Sequence, residues 1–177
     1  MNSILWIVTY GSSTLFHARD NVITEFCDYY LAFLCPLYMT YISLVRTLWI
    51  TNKQTLKKLA IPFIVVFLYF AYQMGFVSFD YAWHMKMSVF FIFSSFFIWL
   101  AWSIKHFKEL PQCKWVLSFY IAIFLFSPLE LFDFQPLFGY FDAHSLWHGV
   151  GSPIIALFSF FTIFDAQFYH NPTRKMV

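Results

Sequence analysis

The chain has 177 residues, of which 60% are hydrophobic and only 11% are charged, and its formal net charge is +2. Soluble domains carry about 25% charged residues, so this composition excludes an ordinary soluble domain and predicts an integral membrane protein. Its three cysteines are too few and too scattered for a disulfide framework or a cysteine-based metal site.

Six apolar segments are candidate membrane spans. A helix needs about 20 apolar residues to cross the hydrocarbon core. In chain order the segments cover residues 3–16, 29–50, 59–79, 87–104, 115–132 and 143–164. The first is short and barely reaches across at about 1.5 Å per residue. The sequence therefore predicts an all-α, polytopic transmembrane helix bundle of about six spans, with residues 1–177 forming one transmembrane domain.

Basic residues are unevenly divided between the two sides of such a bundle. Only Arg19 and Lys86 fall on one side. The other side, which holds both termini, carries nine of the eleven: Arg46, Lys53, Lys57, Lys58, Lys105, Lys108, Lys114, Arg174 and Lys175. Because cytoplasmic loops carry the excess of Lys and Arg, both termini are predicted to be cytoplasmic.

Three histidines, an aspartate and a serine stand out in these apolar segments or at their ends. They form two motifs, Ser13-Thr-Leu-Phe-His17 followed by Asp28, and His144-Ser-Leu-Trp-His148. Polar groups within membrane spans are costly, which makes those that are present functional candidates. With six spans, all five residues lie at the same exoplasmic or lumenal face. We therefore expect the two motifs to meet near the lipid headgroups.

The histidine spacing indicates a metal site. His144 and His148 are separated by four residues, so they share one face of a helix, as two ligands of one metal do. His17 would be the third ligand. Three imidazoles and an open fourth position are a ligand set of catalytic zinc, although iron or another divalent metal can use the same donors. We expect a Zn²⁺ cofactor.

Ser13 and Asp28 are the candidate catalytic residues. Ser13 lies four residues before His17, so its hydroxyl could donate to the oxyanion formed at an ester or amide carbonyl; alternatively it hydrogen-bonds its own helix. Asp28 could accept the proton of an attacking water; alternatively it orients a histidine ligand. Either role keeps Asp28 at the site.

Other polar residues are expected to have simpler roles. Asp142 is predicted to cap the last helix. Glu130 and Asp133 follow Pro128, and only headgroup contacts or loop hydrogen bonds are expected of them. The remaining histidines are expected in loops or in the tail, exposed to solvent: His84, His106 and His170.

These motifs resemble those of a known superfamily. Ser13-x-x-x-His17, Asp28 and His144-x-x-x-His148 are similar to the CREST superfamily of seven-span membrane hydrolases, which includes alkaline ceramidases. The closer resemblance is to its post-GPI-attachment lipid-remodelling family. It is carried by the segment 13–20 with Thr24-Glu25, by Leu129-Glu130-Leu-Phe-Asp133, and by Asp142-Ala-His144-Ser-Leu-Trp-His148. It extends from about Gly11 to Phe164.

The resemblance implies a GPI phospholipase A2 activity, which removes an unsaturated sn-2 acyl chain from the lipid of a GPI-anchored protein. It implies that His17, His144 and His148 bind zinc and that Ser13 and Asp28 are their polar partners. Members of the family usually begin with a signal peptide, a cysteine-bearing lumenal segment and an extra span. We therefore expect a seven-span fold that lacks its first span.

Three functions follow as expectations. The first is a zinc-dependent lipid acyl-ester hydrolase. The second is a ceramidase-like amidase or a hydrolase of another acyl lipid, and the third is a non-catalytic, receptor-like lipid-binding protein with structural zinc. The expected partner is a membrane lipid and not a nucleic acid. The expected location is the ER or Golgi membrane with the site facing the lumen, or the exoplasmic face of a bacterial inner membrane.

Overall fold

The structure, a computed structural model, describes residues 2–132, 134–139 and 141–170. Within these ranges the regular secondary structure is helical, apart from one isolated β-bridge between Leu137 and Phe141. The helices are α1 (Asn2–Ala18), α2 (Val22–Thr47), α3 (Lys53–Tyr72) with a π-helical segment (Gln73–Val77), α4 (Tyr81–His106), α5 (Cys113–Phe126), α6 (Pro128–Leu131) and α7 (Ala143–His170). The predicted all-α fold is confirmed.

Four helical stretches in the described part of the chain are long and apolar enough to cross a membrane. They are Lys53–Val77, Tyr81–His106, Cys113–Leu131 and Ala143–Phe168. The chain is therefore an integral membrane protein. Helix α1 has 17 residues and is about 26 Å long at 1.5 Å per residue. That α1 and α2 also span the membrane stays a prediction.

Local capping and proline explain where several helices differ from the apolar segments. Helix α2 begins before residue 29 because the Asn21 side chain accepts hydrogen bonds from the amides of Ile23 and Thr24, at 3.0 and 3.1 Å. The Thr24 hydroxyl accepts in turn from the Asn21 amide at 3.2 Å, which completes a capping box. Helix α5 ends at Phe126, before Pro128, which has no amide hydrogen and instead begins α6.

The described residues form two compact units, one within Met1–Trp99 and the other within Leu100–Val177. In the first unit, α2, α3 and the start of α4 share an aromatic core around Phe33, Phe70 and Phe91. The Phe33 and Phe70 rings stack with their centroids 3.9 Å apart. The Thr40 hydroxyl donates to the Phe91 carbonyl at 2.8 Å and ties α2 to α4. The single-domain organisation of residues 1–177 stays a prediction.

His84 lies in this first unit, and the prediction that it is solvated is wrong. Helix α4 begins at Tyr81, several residues before the apolar run, so His84 is helical and only 5% exposed. The Tyr29 and Phe70 rings lie 5.2 and 5.7 Å from its ring. His84 is therefore part of the aromatic packing. His106 is partly exposed, and the side chain of His170 lies outside the described residues.

The π-helical segment after α3 is held by a tyrosine of α2. The Tyr30 hydroxyl donates to the Ala71 carbonyl at 3.2 Å. Ala71 lies near the point where the α-helical hydrogen bonds of α3 change to π-helical ones. A Cβ at Gly75 would lie 2.7 Å from the Tyr30 hydroxyl oxygen, closer than Cβ atoms approach neighbouring heavy atoms in proteins. Glycine at position 75 therefore lets α2 pack closely against this segment.

In the second unit, α5 and α7 pack against each other through buried aromatic rings. The Phe119 and Phe158 centroids are 5.3 Å apart, and both side chains are almost fully buried. A buried polar contact lies near the end of α7, where the Gln112 amide donates to Asp165 Oδ1 at 3.1 Å. This contact connects the segment before α5 to the last turns of α7.

Candidate functional site

The start of α7 brings together two of the predicted ligands. Asp142 precedes the helix, and its Oδ1 accepts from the Ser145 amide at 2.7 Å, which confirms the predicted cap. His144 and His148 follow on one face of the first turns. Their Nε2 atoms are 3.0 Å apart, and their rings are nearly perpendicular with centroids separated by 4.6 Å. The four-residue spacing places the two imidazoles on one face, and the cap stabilises the first turn of the helix that carries them.

Glu130 on α6 completes this arrangement, and sequence reasoning missed it. Its Oε2 lies 2.9 Å from His144 Nδ1. The Glu130 side chain is only 17% exposed, whereas that of His144 is 47% exposed. Only headgroup contacts or loop hydrogen bonds were expected for this residue. Asp133, its predicted companion, lies outside the described residues.

The carboxylate determines which nitrogen of His144 carries the hydrogen. An ionised carboxylate only accepts hydrogen bonds, so His144 Nδ1 donates to Glu130. In the neutral imidazole the other nitrogen then presents a lone pair, and His144 Nε2 faces His148. A histidine whose second nitrogen donates to a carboxylate is the usual arrangement of a metal-bound histidine.

The spacing of the two Nε2 atoms suits one small cation. Zinc binds histidine nitrogens at about 2.0–2.1 Å in tetrahedral sites, which places two such ligands about 3.3 Å apart. The observed separation of 3.0 Å is close to that value. His144 and His148 could therefore hold one metal ion together, with Glu130 behind the first ligand.

The other three predicted site residues lie in the first unit. Ser13 and His17 share one face of α1; Ser13 is 5% exposed, whereas His17 is exposed. Asp28 is partly buried on α2, in its second turn and not at its start. The Phe16 ring packs at 6.4 Å from that of Tyr29, next to Asp28. The end of α1 thus packs beside the start of α2.

The loop that leads into α7 carries exposed apolar side chains. Phe138 adopts φ of 56° and Gly139 φ of 76°, and they form the turn closed by the Leu137–Phe141 bridge. Phe138 is 90% exposed, and Leu137 and Phe141 are also exposed. This apolar turn ends three residues before His144.

The chain was compared with known protein families and with curated proteins. The profile of the Per1-like family matches residues 1–166. The chain is similar to a Danio rerio protein named GPI-specific phospholipase A2-like PGAP3, with 34% identity over 168 residues, covering 93% of the chain and 52% of that protein. A Homo sapiens protein of the same name is 29% identical over 156 residues, covering 88% of the chain and 49% of that protein.

A Schizosaccharomyces pombe protein named Protein PER1 homolog is 32% identical over 160 residues, covering 87% of the chain and 46% of that protein. The chain thus spans about half the length of the curated relatives it matches. No solved structure matches the chain.

Proposed function

The chain belongs to the Per1-like family, and from that premise we propose that it is a zinc-dependent hydrolase that releases an acyl chain from a membrane lipid. The proposed substrate is the lipid of a GPI-anchored protein, the molecule to which the names of its relatives refer. The observation that carries the proposal is the Glu130–His144–His148 arrangement. A carboxylate on one histidine and a second histidine at metal-ligand spacing support two ligands of one proposed metal ion.

His17 is the proposed third ligand. The second unit supplies two imidazoles, and a catalytic zinc site commonly has three protein ligands and one open position. His17 is exposed at the last turn of α1, and it shares one face of that helix with Ser13, one helical turn away. Bound zinc would supply a Lewis acid for a carbonyl oxygen and would make water reactive near neutral pH.

Asp28 and Ser13 are the proposed catalytic partners. Asp28 accepts the proton of the attacking water, which a partly buried carboxylate can do when it is held within hydrogen-bond reach. The Ser13 hydroxyl donates to the oxygen that gains charge as the tetrahedral intermediate forms. Its burial supports this role, because a hydroxyl shielded from water stabilises developing charge more strongly.

The apolar turn before α7 supports a lipid substrate. Exposed aromatic side chains such as Phe138 favour the membrane interface, where the ester bonds of a lipid lie. We propose that the site lies at the lumenal face of an ER or Golgi membrane. The distribution of basic residues along the sequence supports this orientation.

Metal content measured together with acyl release tests the proposal. We expect about one zinc per detergent-purified wild-type chain, and loss of both zinc and acyl release from a GPI lipid in His148→Ala. His106→Ala is the matched control, since His106 lies in the same unit and pairs with Glu109. Zinc and activity that persist in His148→Ala would refute the centre. Release of fatty acid from a ceramide and not from the GPI lipid would show an amidase instead.

A further inference from the structure

An apolar groove lies between α2 and α3 in the first unit, away from the residues of the proposed site. It has a volume of about 340 Å³ and is lined by Tyr38 and Tyr41 of α2 and by Ala60, Phe63, Ile64 and Phe67 of α3, among others. Ile64 is 55% exposed, so the groove opens outward. Such a surface suits an acyl chain.

Two lysines lie on the same face of α3 as the groove. Lys53 precedes Ala60 by seven residues, which places it about 20° from Ala60 around the helix, and Lys57 lies about 60° from Ala60. Lys53 and Lys57 are exposed. Lys58 is also exposed, but it lies about 160° from Ala60, on the opposite face.

The lysines are also at the correct height for a headgroup. Lys57 and Lys53 lie about 4.5 and 10.5 Å from Ala60 along the axis, toward the N-terminus of α3. Lysine side chains extend toward the interface while their methylenes cover apolar surface. The Tyr41 hydroxyl donates to the Leu56 carbonyl at 3.4 Å, which holds α2 against α3 at this end. The groove and the two ammonium groups therefore form one continuous surface with an apolar and a cationic part.

We propose that this surface is a binding site for an anionic phospholipid, with one acyl chain in the groove and its phosphate against Lys53 and Lys57. The charge of the rim selects an anionic headgroup over a zwitterionic one. The sequence predicts this end of α3 to be cytoplasmic, and the cytoplasmic leaflet is the one enriched in anionic lipids.

The bound lipid is distinct from the substrate of the proposed hydrolase. Along α2, Asp28 lies six residues before Leu34, the nearest groove residue, and 13 residues before Tyr41, or about 9 and 20 Å along the helix, so the cationic end of the groove is remote from Asp28. The lipid site does not rest on the proposed function. Its variants are expected to leave zinc content unchanged.

Native mass spectrometry of the full chain, with dioleoyl phosphatidylserine or dioleoyl phosphatidylcholine added in mild detergent, tests the site. Each lysine near a lipid surface raises the affinity for anionic lipid about fivefold. The double variant Lys53→Ala/Lys57→Ala is therefore expected to retain phosphatidylserine about 25-fold less strongly. Retention of phosphatidylcholine is expected to fall less, because its choline cation offsets the charge of its phosphate. Lys58→Ala, which removes the same charge from the opposite face, is expected to behave as wild type.

A second variant tests the apolar part. Ile64→Trp fills the groove from an exposed position, so it is expected to fold and to weaken retention of both lipids; the Tm without lipid checks folding. Equal retention of the two lipids by wild type would overturn the proposal. So would an effect of Lys58→Ala as large as that of the double variant. A lipid-free dimer that Ile64→Trp dissociates would show that a second copy of the chain occupies the groove.

Discussion

Removing the Glu130 carboxylate is expected to weaken zinc binding without removing a ligand. Glu130 lies 2.9 Å from His144 Nδ1, where it fixes the ring orientation and makes the facing nitrogen a better donor to a metal. Loss of such a partner typically lowers metal affinity 10–100-fold, or about 1.4–2.7 kcal/mol. Because His144 is half-exposed, water can replace part of the lost contact. We expect zinc affinity to fall about tenfold in Glu130→Gln and up to about hundredfold in Glu130→Ala.

Competition with a zinc chelator of known affinity, followed by elemental analysis, measures this change directly. Glu109→Gln is the matched control, because Glu109 also faces a histidine, His106, at 3.5 Å, but its side chain is 75% exposed. We expect no change in zinc affinity for the control. Zinc affinity within twofold of wild type in both Glu130 variants, with normal Tm, would refute the assigned role of the carboxylate.

Three further predictions concern stability, each measured as the free energy of unfolding or Tm in detergent. Gly75→Ala is expected to cost about 1–3 kcal/mol by overpacking, and adding Tyr30→Phe should recover part of it; no recovery would mean that the hydroxyl is not the obstacle. Asp142→Ala should cost about 1 kcal/mol through loss of the cap, whereas Asp142→Asn should cost little; equal losses would argue against capping. Asp165→Ala should cost about 1–3 kcal/mol because the buried Gln112 amide loses its acceptor; an unchanged Tm would show that this contact contributes nothing.

The helices and the two histidine motifs were predictable from sequence because both depend on local spacing. Long apolar runs specify membrane helices wherever they occur, and an i,i+4 pair shares a face in any helix. Asp142 was predictable as a cap for the same reason. These inferences needed no knowledge of how distant segments pack.

Features that depend on distant contacts could not be read from sequence. Glu130 reaches His144 because α6 is a single turn after Pro128 and the chain then turns back into α7. Nothing in the local sequence around Glu130 specifies that return. The sequence predicts His84 in a loop, because the apolar run of α4 begins only at residue 87. The helix itself begins earlier, in residues that pack against the rings of α2 and α3. The tertiary contacts, and not local hydropathy, determine both placements.

The buried contact between Gln112 and Asp165 has a consequence for the opposite end of α7. His148 and Asp165 are 17 residues apart on this helix, or about 26 Å along its axis. Because Asp165 is held by Gln112, rotation of α7 about its axis is limited. Such a rotation would move the imidazoles of His144 and His148 away from Glu130. Pro153 lies between the two ends and has no amide hydrogen to donate, but α7 continues through it as one helix from Ala143 to His170. The orientation of His144 and His148 is thus determined partly by the Gln112 amide and the Asp165 carboxylate, which lie at the other end of the helix.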